Sequence, residues 1–159
     1  MIVDSHAHAY PAFGGASGHR SVAAHMRFLQ WMMAFHKQPT RRLDDSTEEA
    51  RQTLFGGSSY DFGALTEVNF RSAGFGRLAW TADGTDYYKQ YLPPTLVDLS
   101  GSPDLMVAQM DYAGVDRAVL QAGHLYGELN SFLARAVKQH PTRFWALAQV
   151  SEWRLRHRI

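Results

Sequence analysis

Two histidines near the N-terminus have the spacing of a metal site. Residues 4–8 read Asp-Ser-His-Ala-His and directly follow an apolar pair at residues 2 and 3. Side chains alternate along a β-strand, so Asp4, His6 and His8 are predicted to share one face of an opening strand. Two imidazoles on one face can bind the same divalent ion, and Asp4 is predicted to orient an imidazole without binding the ion itself. The alternative is a pair of surface histidines at a frayed strand end.

The composition limits what kind of site the chain can build. The 159 residues include no cysteine, which excludes disulfides, thiolate nucleophiles and cysteine-based metal centres. A metal site must therefore use His, Asp or Glu. The 16 basic and 15 acidic residues argue against a strongly basic nucleic-acid binder. Because 45% of the residues are hydrophobic, the chain has enough apolar surface to fold around a core.

The elements that would position this site follow an alternating order. Strands are predicted at residues 2–7, 117–121 and 144–150, and the strand at 117–121 is predicted to be buried. Helices are predicted at 103–112 and 128–139, and a further helix capped by Ser21 at 22–37. Alternating strands and helices are typical of a parallel α/β sheet, in which the carboxyl ends of the strands share one edge. His124 follows the second strand at that edge and is predicted to contact substrate; the alternative is a loop histidine beside a turn.

Residues 39–101 are interpreted as an aromatic-rich, lid-like insertion after the first strand. A short helix is predicted from Thr47 through Leu54, a β-hairpin around residues 72–74, and a turn at 82–85. The aromatic side chains of this segment, among them Trp80 and Tyr88, are candidates for an apolar wall against a substrate. The alternative is that they form the small core of the insertion itself.

Three sequence motifs carry a resemblance to a known family. They are residues 2–8 with the following Tyr10-Pro11, residues 110–120 (MDYAGVDRAVL), and residues 140–144 (HPTRF). In this order they resemble the amidohydrolase-related group of the amidohydrolase superfamily. The resemblance implies a (β/α)8 barrel in which His6 and His8 bind a catalytic divalent metal, usually zinc. It also implies a hydrolase, in which a metal-activated water attacks a C–N, C–O or lactone carbonyl. Some members decarboxylate aromatic acids, so a metal-dependent lyase is the alternative.

The length is short for such a barrel. A (β/α)8 barrel needs roughly 250 residues, so the chain is expected to be a single domain, residues 1–159, that holds only the N-terminal portion of the TIM barrel. The family's remaining metal ligands, from the fifth and eighth strands, and its general base are then expected outside this chain. Residues 153–159 are interpreted as a premature stop or a frame-shifted tail. A third alternative is an inactive fragment without catalysis.

The sequence also predicts the location and partners of the chain. Its N-terminus lacks the basic and apolar regions of a signal peptide, and its longest apolar run is far shorter than the ~20 residues of a membrane span. A cytoplasmic protein with a small-molecule substrate is expected, with no nucleic-acid or membrane partner. Uncovered strands in a partial barrel would allow a homo-oligomer.

Overall fold

A computed structural model describes residues 1–56 and 61–150 and shows a mixed α/β protein. The chain forms two compact units, one of residues 1–10 with the chain from 101 onward, the other of residues 11–100. Within the described ranges the sheets are open and no barrel is closed. None of the helices in these ranges is long and apolar enough to cross a membrane. The tail at 153–159 lies outside the described residues.

The regular elements are named here in chain order. The strands are β1 (Val3–Ala7), β2 (Thr40–Arg42), β3 (Glu48–Glu49), β4 (Arg71–Ser72), β5 (Arg77–Ala82), β6 (Thr85–Gln90), β7 (Arg117–Leu120) and β8 (Phe144–Ala146). The helices are α1 (Val22–Phe35), α2 (Pro103–Ala113) and α3 (Asn130–Gln139), with short 3-10 helices at Phe62–Ala64 and His124–Tyr126.

The first unit contains a parallel sheet in the order β1-β7-β8, which confirms the parallel sheet predicted from the three strands. Helix α2 begins and ends where the sequence predicts. The Ser102 hydroxyl accepts from the Leu105 N–H at 3.2 Å, and Pro103 fills the first helical position. Gly114 ends the helix at φ 70, a left-handed conformation that glycine adopts without strain.

One face of the parallel sheet is covered and the other is open. Ala118 and Leu120 of β7 are buried, whereas Arg117 and Val119 between them are partly exposed. The neighbouring Trp145 of β8 remains 44% exposed, with the Arg117 guanidinium 4.7 Å from its ring centre. The prediction that residues 117–121 form a buried strand is therefore wrong for Arg117 and Val119, which alternate with the buried Ala118 and Leu120 and lie on the more open face.

The second unit is built around an antiparallel sheet in the order β3-β2-β6-β5-β4. Helix α1 starts at the predicted cap, where the Ser21 hydroxyl accepts from the Ala24 N–H at 3.1 Å. The predicted hairpin is present as β4 paired with β5, and the predicted turn at 82–85 joins β5 to β6. This unit starts at Pro11, so it includes α1 as well as most of the segment interpreted as an insertion.

The helix predicted from Thr47 through Leu54 is absent. Glu48–Glu49 instead forms β3, with Thr40 opposite Glu49 and Arg41 opposite Glu48. The Arg41 guanidinium lies 2.7 Å from the Glu48 carboxylate across the two strands. Pairing with a neighbouring strand therefore overrides the weak helical preference of this short stretch.

Candidate metal centre

The imidazoles of His6 and His8 converge at the carboxyl end of β1. Their Nε2 atoms lie 3.0 Å apart, and the rings are edge to face with centres 4.8 Å apart. Two nitrogens bound to one tetrahedral zinc at ~2.0–2.1 Å would be about 3.3 Å apart. The Nε2–Nε2 distance is thus within a few tenths of an ångström of that in a chelating pair, and metal binding by the two histidines stays a prediction.

The hydrogen bonds of His8 fix which of its nitrogens is available to an ion. Its Nδ1 lies 2.8 Å from the carbonyl oxygen of Gln121, a group that can only accept, so Nδ1 carries a proton. The Nε2 of the neutral ring then has a free lone pair that faces His6. Without an ion, the His6 Nε2–H donates to this lone pair. An ion at the same point would replace that shared proton.

Strand β1 is irregular where it carries His6. Asp4 pairs with Ala118 and Ala7 with Leu120, so three steps along β1 match two along β7. Such an extra residue is a β-bulge, which interrupts the ladder, increases the local twist and re-aims the side chains beside it. The simple alternation expected from Asp4 to His8 is therefore broken by one residue before the two rings meet.

The peptide group between Ser5 and His6 is held by two side chains. The Asp4 carboxylate accepts from the His6 N–H at 3.0 Å, and the Gln121 side-chain amide donates to the Ser5 carbonyl, also at 3.0 Å. Asp4 thus contacts the main chain of His6 rather than an imidazole. Both polar groups of the bulged peptide are satisfied without a partner strand.

Aromatic side chains pack beside the pair. The Tyr126 ring lies 5.6 Å from that of His8 and stacks on Tyr10, with centres 4.7 Å apart. Tyr10 in turn bonds Gly101 through two main-chain hydrogen bonds of 2.9 and 3.1 Å. A Cβ at Gly101 would lie 2.7 Å from the Tyr10 ring, so this position requires glycine for the ring to pack against the backbone. His8 therefore has an ordered apolar neighbour.

His6 is exposed and His8 is partly exposed, so the pair is open to solvent. His124 begins the short helix after β7, and its side chain is exposed. Among residues 1–56 and 61–150, no three His, Asp, Glu or Cys side chains form a metal-binding group. His124 therefore does not complete the His6–His8 pair, and its contact with substrate stays a prediction.

Trp80 and Tyr88, the other candidates for substrate contact, belong to the second unit. Trp80 is 1% exposed, donates from Nε1 to the Thr53 hydroxyl at 2.8 Å and stacks on Phe70. Tyr88 is 6% exposed and donates to the Ser46 hydroxyl at 3.2 Å. This burial is typical of the alternative, in which both residues form the core of their own unit, and a substrate contact by either stays a prediction.

Sequence reasoning missed Gln121 and Tyr126 as parts of the centre. A signal for Gln121 was present, because a polar residue at the carboxyl end of a strand in a parallel sheet lies at the edge where sites form. Tyr126 gave no comparable signal, since its ring is placed beside His8 by a 3-10 turn that ends at Gly127, where φ is 71°.

No protein-family model matches the chain, and searches of curated proteins and of solved structures found no match either. A function is therefore inferred from the residues of the chain and their geometry, because an α/β architecture by itself is compatible with many activities.

Proposed function

We propose that the chain is the N-terminal portion of a (β/α)8-type, metal-dependent hydrolase and that His6 and His8 bind its divalent ion, with zinc as the best candidate. The observation that carries the proposal is the 3.0 Å approach of the two Nε2 atoms, with His8 held by Gln121 so that its lone pair points at His6. Neutral imidazole suits zinc and its neighbours among the transition metals. A pair of surface histidines at a frayed strand would have no reason to be held in this way.

The openness of the pair supports a catalytic rather than a structural ion. Structural zinc sites are closed by four protein ligands, whereas catalytic sites keep a position for water and substrate. A divalent ion held here would supply a Lewis acid for a carbonyl oxygen and would activate a water for attack. His6 and His8 would hold that ion, the Gln121 carbonyl would keep His8 in the correct tautomer, and Tyr126 would provide an apolar surface beside it.

The topology supports the barrel part of the proposal. β1, β7 and β8 are parallel and in sequential order, as at the start of a (β/α)8 barrel. His6 and His8 lie at the carboxyl end of β1, and His124 follows the carboxyl end of β7. Active sites of such barrels form at that edge, from residues that follow several strands.

Zinc titration by calorimetry tests the site directly. We expect weak zinc binding by the chain, because two protein ligands leave the coordination sphere half built, and we expect His6→Ala or His8→Ala to abolish it. The matched control is His140→Gln, since His140 belongs to the same unit but pairs with Asp104 at 2.8 Å. Binding that survives both alanine substitutions, or no binding by the parent chain, would refute the proposed site.

A second assay tests the reaction. Ester, amide and lactone substrates are incubated with the zinc-loaded chain, with and without a chelator. Hydrolysis that requires zinc and both histidines supports the hydrolase. Release of carbon dioxide from an aromatic acid in place of hydrolysis would assign a lyase, and turnover that is insensitive to the chelator would contradict both metal-dependent activities.

A further inference from the structure

We infer that Gln121 is the positioning residue that sets the orientation of both candidate ligands, an inference that rests on the proposed function of the His6–His8 pair. Gln121 directly follows β7 and makes three separate hydrogen bonds to the end of β1. Gln121 thus bonds both to the ring of His8 and to the peptide that carries His6.

The three bonds of Gln121 bracket the two histidines. Its main-chain N–H donates to the Ala7 carbonyl at 2.9 Å, which continues the parallel ladder past the bulge. Its carbonyl accepts from the His8 Nδ1–H at 2.8 Å, and its side-chain amide donates to the Ser5 carbonyl at 3.0 Å. One residue thus determines the tautomer of His8 and holds the peptide from which His6 projects.

The side chain of Gln121 has a task that few other side chains could perform. The Ser5 carbonyl lies in the irregular stretch of β1 between the Asp4–Ala118 and Ala7–Leu120 pairs, where a side-chain donor can fix its direction. The amide of Gln121 supplies that donor. A carboxylate of the same length could only accept and would repel the carbonyl, and a thioether of similar shape has no proton to give. Without the donor, the Ser5–His6 peptide is free to rotate and His6 loses its fixed approach to His8.

The test substitutes Gln121→Met and measures two quantities in the full chain. The first is zinc affinity by calorimetry, which is expected to fall about 10- to 100-fold, the usual loss when a residue that orients a ligand is removed. The second is the 15N NMR spectrum of the histidine rings without zinc. The parent chain should show one fixed tautomer for His8 and a hydrogen-bonded Nε2 on His6, whereas the variant should show His6 signals close to those of a free imidazole.

The matched control is Gln139→Met, which removes another side-chain amide of the same unit, one that donates to Asp104 at 2.9 Å. It should leave zinc affinity and the histidine spectrum as in the parent. Gln121→Glu provides a second variant should the methionine substitution fail to fold, and it is expected to act in the same direction. Circular dichroism and a urea unfolding curve establish that each variant compared is folded.

The outcomes separate this inference from the proposed function. If Gln121→Met and Gln121→Glu keep the parent's zinc affinity and histidine spectrum, the positioning role is overturned even though zinc binds. If the parent does not bind zinc but its His6 signal changes on substitution, the proposed function fails while the positioning role of Gln121 stands. If the substitutions lower only the urea midpoint, Gln121 is a structural residue and the inference is wrong.

Discussion

Lys89 of β6 is buried against the carboxyl end of α1, and its substitution tests what stabilises the second unit. Lys89 is 6% exposed, and its ammonium donates to the carbonyls of Met33 and His36, at 2.8 and 2.7 Å. These carbonyls belong to the carboxyl end of α1, where a cation interacts favourably with the helix dipole, and that of Met33 also accepts from the His36 N–H at 3.2 Å. Lys89→Met removes both hydrogen bonds while keeping a side chain of similar size.

The expected effect is a balance of two contributions. Each hydrogen bond from a charged donor contributes about 1.5–3 kcal/mol, so losing both destabilises the unit. Burial lowers the pKa of Lys89, which shows that holding the charge out of water has a cost that the methionine variant no longer bears. The net loss in the free energy of unfolding for Lys89→Met is therefore expected to be about 2–4 kcal/mol.

Urea unfolding followed by tryptophan fluorescence measures this loss, because Trp31 and Trp80 both belong to the same unit as Lys89. The control is Lys37→Met, an exposed lysine two residues after the end of α1, which should change stability by no more than ~0.5 kcal/mol. If Lys89→Met is as stable as the parent, or more stable, the cost of burying the ammonium equals or exceeds what its two bonds contribute. The capping argument would then be wrong.

Two further substitutions test other parts of the chain. Arg143→Met should lower the free energy of unfolding of the first unit by about 2–3 kcal/mol, measured by urea unfolding. Arg143 donates to the Asp111 carboxylate at 2.6 Å and to two carbonyls of the turn between α2 and β7, and the variant loses these bonds. An unchanged urea midpoint would contradict this expectation. The His25 Nδ1 donates to the Gly15 carbonyl at 2.7 Å, and burial lowers the pKa of this ring. The neutral ring therefore contributes to the free energy of unfolding above its unfolded pKa of 6.5, and this contribution is lost as the pH falls below that value. His25→Asn, which keeps a donor but cannot be protonated, should lose less stability than the parent between pH 7.5 and 5.5; equal losses would assign the pH dependence to other groups.

Much of the first unit could be predicted from the sequence because its signals are local and agree with one another. Ser102, Pro103 and Gly114 start and stop α2 through their own backbone chemistry, whatever the helix packs against. The apolar runs at residues 117–121 and 144–150 indicate strands, although β8 is shorter than its run. Parallel pairing then follows from the intervening helices, since a strand can return parallel only by such a crossover.

The second unit was less predictable because its elements depend on distant partners. Strand β6 contains Tyr87, Tyr88 and Lys89, and it is ordered by β5 on one side and β2 on the other. Nothing in its own residues distinguishes it from an extended loop. The same holds for β3, whose two glutamates would suit a helix and form a strand only because β2 lies beside them.

The candidate metal centre was predictable in part from local sequence and depends in part on distant residues. The spacing of His6 and His8 predicts that their rings share a face, but alternate residues of a regular strand are about 6.6 Å apart along its axis, which leaves the rings side by side rather than converging. The β-bulge at Ser5 and His6 increases the local twist of β1 and so re-aims the two side chains. No pattern in the sequence predicted this bulge. Asp4 accepts from the N–H of the bulged peptide and the Gln121 amide donates to its carbonyl, although Gln121 is 116 residues away from Ser5. The convergence of the two imidazoles therefore depends on the folded sheet and not on the His-x-His motif alone. A metal site at this position must be tested by substituting the residues that hold the Ser5–His6 peptide as well as the histidines.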